Sequence, residues 1–251
     1  MKESLIVHPN YSDRSLRFRD VIHRFDEVGE ILMDGERNIL KKVQIADSFF
    51  VVKKFRTPFV IQGLVYQFLR KSKAKRSYQY AKKLLELDIK TPAPVAYAER
   101  TSFGLKDSYY ISEFVDYDFD FRVLNHNPLW PDRNNILKQF ATFTFEMHEK
   151  GVQFLDHSPG NTLIISHGNG EYDFYLIDLN RMQFRDLDFE SRMYNFRRLW
   201  LSKTMINVMA PVYAELYGKS SEETHRLMTK YSRQFQKKVN SKKLRKRRNS
   251  S

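Results

Sequence analysis

Three polar residues in this chain have the types and spacing for chemistry on a phosphate. Asp156 and Asn161 lie five positions apart in the segment Gly151-Val152-Gln153-Phe154-Leu155-Asp156-His157-Ser158-Pro159-Gly160-Asn161-Thr162-Leu163-Ile164. Asp178 follows seventeen positions after Asn161, closing the apolar run Tyr175-Leu176-Ile177. The first segment reads as a helix end, an irregular loop and the start of a strand. The second reads as a strand that stops at an aspartate. Phosphoryl transfer asks for in-line positioning, a carboxylate near the attacking hydroxyl and oxygen ligands for magnesium. Mg²⁺ is hard and octahedral, and takes carboxylate, amide and water oxygens. Two aspartates and an asparagine supply those groups. Asp-x₄-Asn alone occurs in many loops, so the second aspartate and the order of the elements carry the reading.

The elements that must position these residues follow from hydrophobic period and turn residues. Strands are expected near Asp26–Leu32, Ile39–Gln44 and Ser48–Phe55, joined by the turns Met33–Asn38 and Ile45–Asp47. Pro58 ends this meander. A helix is expected near Ala74–Leu87, with Tyr80, Leu84 and Leu87 as its apolar stripe. Thr91-Pro92-Ala93-Pro94 stops it. Strands at Val95–Arg100 and Ser108–Phe114 follow. A long helix from about Asn134 to Lys150 carries Ile136, Phe140, Phe143 and Met147 at core spacing, and Gly151 caps it. Short strands at Thr162–Ser166 and Asp173–Ile177 precede helices to the end. The fold class is therefore α+β. An antiparallel sheet with one helix makes up the first half, and a mainly helical half follows. The expected organisation is an irregular N-terminal extension over 1–24, a sheet-rich lobe over 25–115, a helical lobe over 116–236 and a basic, disordered tail over 237–251.

Bulk properties narrow the function classes. The chain has 251 residues, 41% hydrophobic and 14% aromatic, enough for a sizeable core. No run of eighteen apolar residues suggests a membrane span, and no signal-peptide pattern opens the chain. The absence of cysteine excludes disulfides and thiolate metal sites, and fits a reducing compartment. A net charge of +13 favours anionic partners. The charge concentrates in Arg70–Arg76 and in a tail running from Lys237 to Arg248. Such a tail is either a solvated end or an anchor for anionic lipid. Nucleic-acid binding is not expected, because no aromatics interleave with the tail charges as a stacking platform needs.

The spacing of Asp156 and Asn161 matches a kinase catalytic loop, and Asp178 takes the place of the kinase metal-binding aspartate. Kinases also carry a lysine on the third strand that holds nucleotide phosphates. Here that strand offers Lys53 and Lys54, and side-chain alternation lets only one of them face the nucleotide. Lys53 shares a face with Val51 and is favoured, with Lys54 the alternative. Gly35 lies in the turn where a phosphate-covering loop belongs, although that turn holds only one glycine. Glu113 and Val115 complete the candidate nucleotide-binding set. His148 reads as a packed residue near a helix end. His157 reads as a solvent-facing loop residue or a substrate contact.

These residues resemble the lipopolysaccharide kinases of the Kdo/WaaP type, a branch of the protein-kinase-like fold, over about residues 25–215. The carriers are Gly29-Glu30-Ile31 with Arg37-Asn38, Val51-Val52-Lys53, Lys75-Arg76-Ser77-Tyr78 leading to Thr91-Pro92-Ala93-Pro94, Asp156–Asn161, and Ile177-Asp178-Leu179-Asn180. The resemblance implies a two-lobed kinase that uses ATP and Mg²⁺ to phosphorylate a lipid A-linked core sugar, Kdo or heptose. It implies Asp156 at the sugar hydroxyl, Asn161 and Asp178 as Mg²⁺ ligands, and Lys53 on the α- and β-phosphates. It places the protein in the cytoplasm, peripheral to the inner face of the membrane, with the basic clusters on anionic lipid.

Two features depart from the kinase pattern. His-Arg-Asp is replaced by Phe154-Leu155-Asp156, and the helix glutamate that pairs with the strand lysine is replaced by Ser77 or Gln79. A weakly active pseudokinase therefore stands as an alternative. So do a RIO-like protein kinase and a small-molecule phosphotransferase, although no Ala-Pro-Glu follows Asp178. A non-enzymatic basic module that binds nucleic acid would explain the charge but not the three polar residues.

Overall fold

The computed structural model describes residues 2–36, 38–56, 71–102 and 104–248. Arg37, Pro58 and Arg70, named above, lie outside the described residues. The chain divides into two compact units, Met1–Asp116 and Tyr117–Ser251.

The first unit is built on a six-stranded sheet in the order β1-β5-β6-β4-β3-β2. Its strands are β1 (Lys2–Val7), β2 (Glu30–Asp34), β3 (Asn38–Ile45), β4 (Ser48–Arg56), β5 (Pro94–Ser102) and β6 (Gly104–Glu113). All the pairings are antiparallel. β4 is central, rich in β-branched and aromatic residues, and alternates between two faces. Phe50 and Val52 join a cluster with Phe18, Ile22 and Phe25. Phe55 joins a smaller cluster with Ala74, Tyr78 and Tyr97.

Two helices supply most of these partners: α1 (Ser15–His23) gives Phe18 and Ile22, and α2 (Lys73–Glu86) gives Ala74 and Tyr78. Ser72 caps α2 by accepting from the Lys75 amide at 3.0 Å. The buried side of α2 is Ala74, Ser77, Tyr78, Ala81 and Leu84. Of the expected stripe only Leu84 is buried; Tyr80 and Leu87 are half-buried. Small residues hold the true contact face, so hydrophobicity alone misplaced it.

The first twenty-four residues differ most from expectation. They are not an irregular extension. β1 pairs with β5 along its whole length, from Lys2↔Thr101 to Val7↔Ala96. Arg100 locks the strand in place, its Nε 2.7 Å from Glu3 Oε2. α1 then buries Phe18, Val21 and Ile22 against the sheet.

The second unit is mainly helical. It holds α3 (Arg122–His126), α4 (Arg133–Glu149), α5 (Phe189–Asn195), α6 (Lys203–Tyr217) and α7 (Ser221–Arg248). Ile136, Leu137, Phe140, Ala141 and Met147 of α4 are fully buried. Each large apolar side chain so buried contributes roughly 1.5–3 kcal/mol relative to an exposed one. Gly151 ends α4 with φ +68°, and a Cβ there would meet the Arg185 carbonyl at 3.2 Å. Only glycine fits that turn without strain. Short strands frame the polar loops: β7 (Phe119–Asp120), β8 (Val152–Phe154), β9 (Thr162–Ser166), β10 (Tyr172–Leu176) and β11 (Met182–Phe184). β8 pairs with β11, and β9 with both β7 and β10. The tail expected to be disordered is helical through Arg248 as the continuation of α7.

Candidate active site

The Asp156 loop is held at both ends by strands. β8 ends at Phe154, and the Leu155 amide donates to the Arg181 carbonyl at 3.0 Å. The chain then turns tightly. The Ser158 amide donates to the Asp156 carbonyl at 2.7 Å, and the Asn161 amide to the Ser158 carbonyl at 2.9 Å. A short 3-10 turn over Pro159–Asn161 starts on the proline, whose fixed φ suits that position. Asn161 Nδ2 donates to the Asp156 carbonyl at 2.8 Å. That bond fixes the amide and directs its oxygen, Oδ1, to the opposite side.

Asp178 is brought to the same place through the backbone. The Ile177 amide donates to the Asn161 carbonyl at 3.0 Å, one residue beyond the β9–β10 ladder. Asp178 itself has φ +58°, a left-handed conformation that aspartate tolerates better than most residues. Asn180 Nδ2 donates to Asp178 Oδ1 at 2.6 Å and fixes the carboxylate. Asp156, Asn161 and Asp178 thus share one hydrogen-bonded knot. An oriented amide oxygen and a carboxylate form a hard-oxygen donor set that fits Mg²⁺, which completes its shell with water and phosphate. No cluster of three or more His, Cys, Asp or Glu occurs among the described residues.

The surroundings of Asp156 are strongly cationic, which spacing did not reveal. Arg198 Nη2 lies 2.6 Å from Asp156 Oδ1, and Arg181 Nη1 lies 3.9 Å from Oδ2. Arg197 stacks 3.7 Å from the Tyr194 ring centre. Burial first, then the charges of Arg198 and Arg181, hold the Arg197 guanidinium below its ordinary pKa.

A buried polar chain supports the loop from beneath. Asn195 Nδ2 donates to the Phe154 carbonyl at 2.7 Å. Asn195 Oδ1 sits 3.0 Å from His148 Nε2, and His148 Nδ1 sits 2.8 Å from the Tyr213 hydroxyl. This order fixes a neutral tautomer, with Nε2–H donating to Asn195 and Nδ1 accepting from Tyr213. Burial lowers the His148 pKa to about 4. His148 is thus a packed, hydrogen-bonded residue.

His157 is neither solvent-facing nor exposed to a substrate. It is fully buried between the Phe154 and Phe140 rings, at 5.8 and 5.5 Å. Its two ring nitrogens have no hydrogen-bond partner among the described residues. Burial, then the nearby His148, pushes its pKa down to about 3. The loop turns at Asp156, so the next side chain points into the core.

In the first unit, β4 separates the two lysines. Lys54 lies on the α1 face, its Nζ 3.5 Å from Asp26 Oδ1. Lys53 is buried on the α2 face with Val51 and Phe55, its Nζ 5.2 Å from the Phe55 ring centre. Gly35 sits in the β2–β3 turn, its amide donating to the Asn38 carbonyl at 3.0 Å. Glu113 accepts from the Tyr11 hydroxyl at 2.7 Å. Its amide donates to the Ala93 carbonyl at 2.9 Å, and Val115 follows it in an irregular segment.

The family model described as "Lipopolysaccharide kinase (Kdo/WaaP) family" matches residues 40–236. The chain belongs to the Kdo/WaaP family of lipopolysaccharide kinases. The solved structures include "WaaP in complex with acyl carrier protein", at a TM-score of 0.65 and 17% identity, covering 93% of this chain and 98% of that one. At that identity the likeness establishes the fold, a mixed α/β arrangement with an antiparallel sheet and several helices. Comparison with curated proteins returns no match. Membership makes the chain a kinase. No helix among the described residues of this Kdo/WaaP kinase is long and apolar enough to cross a membrane.

Proposed function

We propose that this Kdo/WaaP kinase has a two-lobed, protein-kinase-like organisation. It transfers the γ-phosphoryl group of ATP to a hydroxyl of a lipopolysaccharide inner-core sugar, Kdo or heptose, at the cytoplasmic membrane surface. One observation supports this most directly. Asn161 donates to the Asp156 carbonyl while its own carbonyl accepts from the amide before Asp178. The three residues of the spacing argument therefore belong to one knot.

In this reading Asp156 orients the sugar hydroxyl and takes its proton as the new O–P bond forms. The bond between the γ-phosphorus and the ADP oxygen breaks. Asn161 and Asp178 hold magnesium, which when bound offsets negative charge on the phosphates. Lys53 binds the α- and β-phosphates, and Gly35, Glu113 and Val115 contact the nucleotide. Lys54 is committed to Asp26 on the opposite face of β4. Asn195 and His148 keep the Asp156 loop in shape.

A weakly active enzyme is the second reading, and one observation favours it. α2 turns Ala74, Ser77 and Tyr78 toward the sheet. Its only carboxylate, Glu86, stands exposed at the last position of the helix.

Labelled ATP offered with Kdo-lipid A, heptosylated lipid A and protein acceptors tests the reading. Wild type should label a glycolipid, and Asp156→Ala should lower that rate at least a hundredfold. Label appearing only in protein would favour the RIO-like alternative. No Mg·ATP binding at all would overturn the enzymatic reading.

A further inference from the structure

In the second unit, α5, the 3-10 turn Phe196–Leu199 and the middle of α7 enclose an open cleft of about 560 Å³. Its charged lining residues are Arg197, Arg198, Lys238 and Lys242, and no carboxylate lines it. Tyr231 and Phe235 add an aromatic wall. The Tyr231 hydroxyl is already committed to Glu190, so that ring offers mainly its faces. Arg197 is held by stacking on Tyr194 and by an Nη1 bond to the Tyr194 carbonyl at 2.8 Å. The volume suits a saccharide unit better than a lone ion.

Arg198 joins this cleft to the Asp156 centre. Its guanidinium carbon lies 5.4 Å from the Phe235 ring centre, and its Nη2 pairs with Asp156 Oδ1. Its Nε is buried with no hydrogen-bond partner among the described residues. Three guanidinium groups thus gather around one carboxylate, and two lysines extend the positive wall. Guanidinium forks recognise phosphate and carboxylate in two-point fashion, and a second anion beside Arg198 would compete with Asp156 for its donors.

We propose that this cleft is an anion subsite for the acceptor, taking a phosphate or carboxylate carried on a saccharide. Arg198 then shares its donors between that anion and Asp156, so an acceptor seated in the cleft loosens the Asp156–Arg198 pair and frees Asp156 Oδ1 for the hydroxyl. This inference rests on the reading of Asp156 as the hydroxyl-orienting residue.

The test uses the full chain and the double variant Lys238→Glu/Lys242→Glu, at two exposed positions on α7. Inorganic pyrophosphate is titrated calorimetrically in the presence of a saturating non-hydrolysable ATP analogue. Acceptor KM is measured with detergent-dispersed glycolipid, intact and enzymatically dephosphorylated. Kd for Mg·ATP is measured separately. The variant should lose pyrophosphate binding and raise acceptor KM at least tenfold, with Mg·ATP affinity unchanged. A KM rise on dephosphorylation of the acceptor assigns the bound anion to phosphate, and an unaltered KM assigns it to carboxylate. Unchanged pyrophosphate binding and KM overturn the inference while leaving the kinase reading intact. Loss of activity only on vesicle-embedded acceptor also overturns it, in favour of a membrane contact. If wild type phosphorylates no glycolipid, the glycolipid-acceptor reading fails, and the pyrophosphate titration alone decides the cleft.

Discussion

Arg198 is paired with Asp156 across forty-two positions of sequence, Nη2 to Oδ1 at 2.6 Å. The two side chains are 29% and 21% exposed, so solvent screens the pair only in part. Such a pair is worth about 1 kcal/mol. Arg198→Gln should therefore lower unfolding stability by about that amount. A double-mutant cycle with Asp156→Asn, measured by urea unfolding, should return a similar interaction energy. Additive effects would show that the contact contributes nothing to the fold.

The two strand lysines should respond differently to truncation. Lys53→Ala removes a buried cation on the α2 face and should lower kcat/KM for ATP at least a hundredfold. Lys54→Ala removes a pair with an exposed carboxylate and should leave catalysis within threefold, with at most about 1 kcal/mol of lost stability. Equal loss of activity in the two variants would mean that β4 does not sort them as the alternation indicates.

Asn195 occupies a position where truncation leaves the buried His148 Nε2 unpaired and takes one of two donors from the Phe154 carbonyl, which keeps the His157 amide at 3.2 Å. Each unsatisfied buried group costs about 1–3 kcal/mol. Asn195→Ala should lose about 1–3 kcal/mol by urea unfolding, and kcat should fall further than Mg·ATP affinity, because the disturbed element is the Asp156 loop. A variant that matches wild type in both measurements would remove this chain of bonds from the account.

Acid should destabilise the protein through its buried histidines. The folded values are about 3 for His157 and about 4 for His148, against an ordinary value near 6.5. Below about pH 6.5 the unfolded chain takes up protons that the folded chain refuses. Stability is therefore full above that pH and falls as pH drops toward the folded values. At pH 5 the loss is about 2 kcal/mol per histidine. His157→Leu should remove about half of the difference between urea midpoints at pH 7.5 and pH 5. An unchanged difference would assign the acid sensitivity elsewhere.

Local signals made β3, β4, α2 and α4 legible, because alternation, a proline stop and a helical stripe each act within a few residues. The Asp156–Asn161 spacing was legible for the same reason. Signals for other elements were present but outweighed. Phe18, Val21, Ile22 and Phe25 have helical spacing, yet β1 alternates only weakly and its stability comes from pairing with β5 far along the chain. In α7, Leu227, Met228, Tyr231, Phe235 and Val239 recur on one face, but the lysines and arginines dominated the composition. Arg198 was in plain view beside Arg197, but nothing local ties it to Asp156. That contact depends on how α5 and the turn after it pack under the β8 loop, which is tertiary structure.

The basic end of α7 changes the membrane argument. In the Arg70–Arg76 cluster Arg76 is buried and Lys71 bonds to Gln79 at 2.8 Å. Lys237, Arg245 and Arg248 are exposed on an ordered helix and lie outside the cleft lining. Each basic residue near an anionic surface is worth about 1 kcal/mol. Charge reversal at Lys237, Arg245 and Arg248 together should weaken binding to phosphatidylglycerol-containing vesicles at least a hundredfold at low salt. The wild-type affinity should itself fall steeply as salt rises, since screening acts within a Debye length. Pyrophosphate binding in the cleft should survive these changes, because Lys238 and Lys242 remain. Vesicle binding that resists both salt and charge reversal would place the membrane contact on some other surface.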